Sequence, residues 1–178
     1  MLKFEREIST ESNLVASQAA KQTCEQQQRD TYESHRHRTF SLAFYMTGNE
    51  MEAEEILAAT FIHAFQQNEQ PDAYAVDSAL VGELSQRLPL HRDESPAVIV
   101  PELNLGHRNV RRPELEAAVR TLPAKERLLF LLQDVEGYSA ASIGRLLNMP
   151  EVQVQRACFS ARIRLAQILA ERARNEAA

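Results

Sequence analysis

Apolar residues spaced three and four apart recur along nearly the whole of this 178-residue chain, while β-branched residues are scattered and make only one short run, Val98-Ile99-Val100, closed off by Pro96 and Pro101. Such a chain must bury its side chains by packing helix on helix, so an all-α fold is expected. No apolar run approaches the ~18 to 20 residues that cross a bilayer, and the opening MLKFEREIST lacks the apolar segment and cleavage site of a secretory leader. A cytoplasmic protein is the expectation. Two cysteines, Cys24 and Cys158, are too few for a disulfide framework or a four-cysteine metal site and read as reduced packing residues.

The helices group into two small domains. Residues 1–28, rich in Glu, Gln, Ser and Ala with few apolar anchors, read as a helical or frayed extension. Residues 29–88 hold three helical signals. Tyr32, Phe40, Ala43, Phe44 and Met46 line a helix that stops near Gly48. Asn49 with Glu52 three residues on opens the next, whose apolar face is Ala53, Ile56, Leu57, Thr60, Phe61, Ala64 and Phe65. Asp72 caps a third, with Tyr74, Leu80, Leu84 and Leu88 as its inner face. Prolines 89, 96, 101 and 113 then bound an aperiodic stretch, so 89–112 reads as a linker. Residues 113–174 restart as helices: one from Pro113 to Leu122, a strongly apolar one after Pro123 that ends at Gly137, one capped by Ser139, and a long one from Pro150 to about Ala173.

Tyr138 to Leu165 has the pattern of a helix-turn-helix. Ile143, Leu146 and Leu147 bury one face of a short helix, Gly144 allows close approach, Asn148 suits a left-handed turn residue, and Met149 plugs the corner. Val154, Cys158, Ala161 and Leu165 then form the inner stripe of the second helix. Outward lie Gln153, Gln155, Arg156, Ser160, Arg162 and Arg164, side chains able to bond base edges or phosphates in a major groove. The same pattern fits a plain helical hairpin with a solvated charged face.

Charge separates the two halves. The chain is net −5, yet residues 1–105 carry 8 Lys and Arg against 17 Asp and Glu, and residues 106–178 carry 12 against 8. Different partners for the two halves are expected. Catalytic signatures are missing: no phosphate loop, dinucleotide fingerprint or nucleophile elbow is present. His35 and His37, two apart on a helix, point to different faces and do not make a metal site, and His63 reads as a boundary residue. Glu52, Glu54 and Glu55 crowd a helix N-terminus, where the dipole stabilises them without any catalytic role. The chain reads as a non-enzyme with no cofactor and no metal.

The block LPAKERLLFLLQDVEGYSAASIGRLLNMPEVQVQRACFSARIRL resembles the C-terminal DNA-binding region of extracytoplasmic-function sigma factors, promoter-recognition subunits of bacterial RNA polymerase. Upstream, HRTFSLAFYMTGNEMEAEEILAATFIHAF is similar to that family's core-binding region, and the two blocks stand in the family's order. The resemblance implies a two-domain all-α initiation factor without catalytic chemistry. Glu52, Glu54, Glu55, Ile56 and Leu57 would dock on the polymerase beta-prime subunit. Gln153, Gln155, Arg156, Ser160, Arg162 and Arg164 would contact the upstream promoter element, and an anti-sigma factor is a further implied partner.

The departures carry expectations too. The family's Q-E pair is Ala58-Ala59 here, which implies weaker hold on the polymerase. Its aromatic, basic melting helix is replaced by DAYAVDSALVGELSQRL, with Tyr74 and Arg87 but no Trp anywhere in the chain. Stacking of an aromatic on an unpaired base is worth ~1 to 3 kcal/mol, so promoter melting by that route loses its main support. Ala157 and Ser160 replace basic residues of the family's recognition helix. Two other readings stay open: a helix-turn-helix regulator that dimerises on palindromic DNA, and a degenerate sigma that binds its partners without opening promoters.

Overall fold

A computed structural model of the chain describes residues 2–90 and 110–176, with side chains over 22–90 and 110–175. Seven helices account for the regular structure of these residues: α1 (Leu2–Thr47), α2 (Glu50–Gln67), α3 (Ala73–Arg87), α4 (Arg112–Thr121), α5 (Ala124–Phe130) with a π-type turn over Leu131–Val135, α6 (Ala140–Leu147) and α7 (Glu151–Glu176). The Val98-Ile99-Val100 run and most of the proposed linker lie outside the described residues.

One difference from the sequence expectation is at the N-terminus. The backbone helix runs without a break from residue 2 through the expected boundary at 28 into the apolar segment. Nothing between Glu25 and Asp30 is a helix breaker, and Gln26 donates to Asp30 one turn on at 2.9 Å. The helix ends where Gly48 takes φ +73° and donates its N–H to the Phe44 carbonyl at 2.7 Å. Asn49 caps α2 by accepting from the Met51 N–H at 3.0 Å, one residue earlier than the capping-box pattern implies. Asp72 caps α3 through the Ala75 N–H at 2.8 Å.

In α3, Leu80 and Leu84 are buried as expected, but Tyr74 is exposed, and Val76, Ala79 and Val81 share the inner positions with the carboxylates Asp77 and Glu83. The cause is tertiary. α3 is packed by α1 and α2 on one side and α6 on another, so more than one stripe is covered. Its buried acids are compensated: Asp77 by Arg38, and Glu83 by His63 at 2.7 Å and Arg87 at 4.0 Å.

The C-terminal helices start where the sequence signals place them, but α7 runs to Glu176, past the expected end near Ala173, and the apolar helix expected to reach Gly137 turns π-type after Phe130. Pro113 lies in the first turn of α4, Pro123 precedes α5, and Gly137, at φ +75°, ends the π-type turn. Arg127 of the L-P-x-x-x-R pattern donates to the Met46 carbonyl at 2.7 Å, and to those of Arg120 at 2.6 Å and Leu122 at 2.9 Å. One guanidinium thus satisfies orphan carbonyls at the ends of both α1 and α4.

The two halves share a core. Leu42, Met46, Ile56, Leu80 and Leu84 belong to the same apolar cluster as Ala118, Leu122, Leu128, Ile143 and Val154. A smaller cluster of Phe61, Ala64, Val76 and Ala79 closes the N-terminal half alone. Across the boundary, Tyr45 donates to Glu116 at 3.1 Å and the Arg120 guanidinium lies 5.2 Å from the Phe44 ring centre.

Candidate nucleic-acid and partner interfaces

The helix-turn-helix is built from local chemistry. Ser139 caps α6 by accepting from the Ser142 N–H at 3.1 Å. Asn148 takes the left-handed conformation, φ 50° and ψ 47°, and the Met149 N–H returns to the Gly144 carbonyl at 2.8 Å. A Cβ on Gly144 would lie 2.7 Å from the Met149 carbonyl oxygen, so glycine is what lets the turn fold back on α6. Val154, Cys158, Ala161 and Leu165 are all buried, as the stripe requires, and burial pushes the Cys158 thiol up from its ordinary pKa.

The outward set divides in two. Gln153, Gln155 and Arg156 are exposed on the first two turns of α7. Gln155 donates to Glu151 at 3.2 Å, and Arg156 has no ion pair among the described residues. Ser160, Arg162 and Arg164 also have partners within the domain, and Arg162 stays exposed. Ser160 donates to Glu126 at 3.1 Å, Arg164 donates to the same buried carboxylate at 2.8 Å, and Arg162 pairs with Asp134 at 2.8 Å. Beyond its second turn α7 packs along α5, and Glu126 of α5 and Asp134 of the π-type turn pair with its basic groups. The hydrogen bond to Asp134 raises the Arg162 pKa further.

Two outward residues that the sequence reading did not single out are apolar: Val152 is 56% exposed and Phe159 61%. With Arg156 they form one stripe at steps of four and three, so the spacing was available as a signal.

On α2, Glu52, Glu54 and Glu55 are exposed as expected, and Glu55 accepts from Arg87 at 3.2 Å. Ile56 is corrected. It is 0% exposed and belongs to the core, because it shares its face with Ala53 and Thr60. Leu57 is half-buried against the smaller cluster. The surface beside the glutamates carries Met51 (73% exposed), Ala58 and Ile62 (58%), at steps of seven and four. Ala58 looked like a loss in the sequence, yet it leaves an apolar strip with glutamates along it.

Of the expected melting segment, Tyr74 is exposed at the start of α3, and Arg87 is held by Glu55 and Glu83. Among the described residues no group of three potential metal ligands gathers, and no helix is long and apolar enough to cross a membrane.

Comparison with known proteins agrees with this geometry. The family "Sigma-70, region 4" matches residues 112–165, the segment from the start of α4 to the last inner residue of the helix-turn-helix stripe. The ECF RNA polymerase sigma factor SigE of Mycolicibacterium smegmatis is 29% identical over 130 residues, covering 65% of this chain and 51% of that protein. The chain thus spans about half the length of that curated relative. Among solved structures, the sigma factor RpoE from Bartonella quintana, crystallised in complex with the anti-sigma factor NepR, matches with a TM-score of 0.61 at 14% identity, covering 79% of this chain and 95% of that one. That likeness shows the fold. With a region 4 match placed on its helix-turn-helix and a sigma factor among its relatives, the chain is similar to the extracytoplasmic-function sigma factors.

Proposed function

We propose that the chain is a transcription initiation factor that binds core RNA polymerase through α2 and directs it to promoters through the helix-turn-helix. The observation that carries this reading is the pairing of two distinct exposed surfaces on one molecule: the Gln153, Gln155 and Arg156 face of α7, and the acidic and apolar face of α2. Amide and guanidinium groups on the first turns of a second helix suit base edges in a major groove. Glu52 and Glu54, flanking Met51, Ala58 and Ile62, suit a partly basic helical partner such as the beta-prime coiled coil.

In this reading residues 29–88 hold the polymerase, 113–174 hold DNA and 89–112 connect them. No catalysis is assigned, in keeping with a family that is non-enzymatic in general. The site of action is the cytoplasm, where the polymerase works. The RpoE neighbour was solved with an anti-sigma factor, and a partner of that class is proposed here as well. A second reading, binding without promoter opening, is favoured by one observation: the only arginine of α3 is engaged by two carboxylates and so adds little to a track for single-stranded DNA.

The test is equilibrium binding of the full chain to bacterial core RNA polymerase in competition with a known sigma factor. Ile62→Arg is the control, since Ile62 is exposed and its loss leaves the core intact. Competitive binding that weakens at least tenfold in the variant supports the reading. Absence of competition by the wild-type chain refutes it in favour of a free-standing DNA-binding regulator.

A further inference from the structure

Three side chains from different elements meet in a part-buried cluster between the halves. Arg38 of α1 donates through Nη2 to Asp77 of α3 and through Nη1 to the hydroxyl of Tyr138, and the Tyr138 hydroxyl donates to the other oxygen of Asp77. The Arg38 guanidinium also lies 5.7 Å from the centre of the Tyr138 ring. We infer that Arg38, Asp77 and Tyr138 form a latch that closes the helix-turn-helix onto the N-terminal helices and sets how readily the halves separate.

Arg38 and Asp77 both lie in the N-terminal half and are already paired to each other; Tyr138, at the entry to α6, is the group contributed from across the boundary. Withdrawing Tyr138 leaves Asp77 with its counter-ion, so separation strands no buried charge. Opening also lets water return to a carboxylate that is buried when closed, which offsets part of the lost bonding. An apolar contact alone lacks this balance. The cluster therefore fixes the orientation of α6 against α3 without adding a stranded charge to the cost of opening, the rest of which is exposure of the shared apolar core. Burial lowers the basicity of Arg38, but the Tyr138 bond and the Asp77 charge outweigh it and raise its pKa overall. The sequence resemblance gives no reason for an acid at position 77, within the stretch that departs from the family.

The consequence for function rests on the proposed reading, since a chain that must place two surfaces on a polymerase and on a distant promoter element has to separate them. The physical claim does not, and it is tested alone. Dyes are attached at exposed positions through Gln66→Cys in α2 and Arg174→Cys in α7, in a Cys24→Ser, Cys158→Ala background of the full chain. Energy transfer and helical circular dichroism are followed through a urea series, with and without Tyr138→Phe. That variant keeps the ring and removes the bonds made by the hydroxyl. Hydrogen bonds to charged groups shift equilibria by roughly ten- to a hundredfold. The expected result is that the distance transition moves to lower urea, by at least tenfold in the ratio of open to closed molecules at a given concentration, while the helical transition stays in place. Asp77→Asn should separate the two signals in the same way. If both variants leave the distance transition unmoved, or move both transitions together, the latch is refuted. Failure to bind polymerase leaves this measurement unaffected.

Discussion

Alanine in place of glycine in a helix interior ordinarily stabilises by about 1 kcal/mol, because the unfolded chain loses freedom and the helix gains a better former. Two helical glycines of this protein should respond with opposite signs. Gly82 in α3 is exposed, and a Cβ there would meet nothing within 4 Å. Gly82→Ala should therefore raise stability by about 0.5 to 1 kcal/mol. At Gly144 the added carbon would lie 2.7 Å from the Met149 carbonyl oxygen and 3.8 Å from the Glu151 nitrogen. Both are backbone atoms, held by the left-handed Asn148 and by the Met149 N–H bond to Gly144, so no side chain can swing aside. Overpacking of this kind costs about 1 to 3 kcal/mol, which exceeds the propensity gain. Gly144→Ala should lower stability by about 1 kcal/mol net, within ~0 to 2. For a chain of this size each kcal/mol moves the melting temperature by about 2 to 4 °C. Thermal and urea unfolding of both variants, followed by circular dichroism, measures the two signs directly. The clash also displaces the first turn of α7 relative to α6, so the DNA affinity of the folded Gly144→Ala protein should fall while that of Gly82→Ala is unchanged. An increase in stability for Gly144→Ala matching that of Gly82→Ala would refute the close-approach argument.

Other outcomes follow from the same structure. Arg156→Ala should weaken specific DNA binding by ~1 to 3 kcal/mol and relax selectivity at one base pair, whereas Arg162→Ala, which breaks a half-exposed pair with Asp134, should change DNA affinity much less and cost stability only ~0 to 1 kcal/mol. Gel-shift titrations on matched and mismatched sites distinguish them. Glu116 has its pKa lowered by hydrogen bonds from Arg112 and Tyr45, so its contribution to stability is present above the ordinary carboxylate range and lost as pH falls through the lowered value. Glu116→Gln should flatten the acid limb of the stability profile, read by urea midpoints from pH 6 downward. Buried Cys158, its thiol pKa raised by burial, should resist maleimide until the chain unfolds, while half-exposed Cys24 reacts in the native state, a difference that peptide mass spectrometry detects.

What the sequence determined is chiefly local. Asn49, Asp72 and Ser139 cap the helices they precede, Gly48 and Gly137 end helices at positive φ, and Asn148 takes the left-handed turn, because each effect depends on a side chain and a backbone a few residues apart. The inner stripe of the recognition helix was legible for the same reason: a period of 3.6 fixes which residues share a face. Only the tertiary structure decided what each face meets. Nothing in the spacing of Ser160, Arg162 and Arg164 shows that Glu126 and Asp134, nearly thirty or more residues earlier, lie beneath them. Ile56 and Met51 sit on the same short helix, yet packing against α1 and α3 buries one and leaves the other open. The buried acids of α3 are least legible of all. A carboxylate is read as a surface group until a partner is seen to compensate it, and for Asp77 those partners come from residues 39 positions before and 61 after, brought together only when the two halves close.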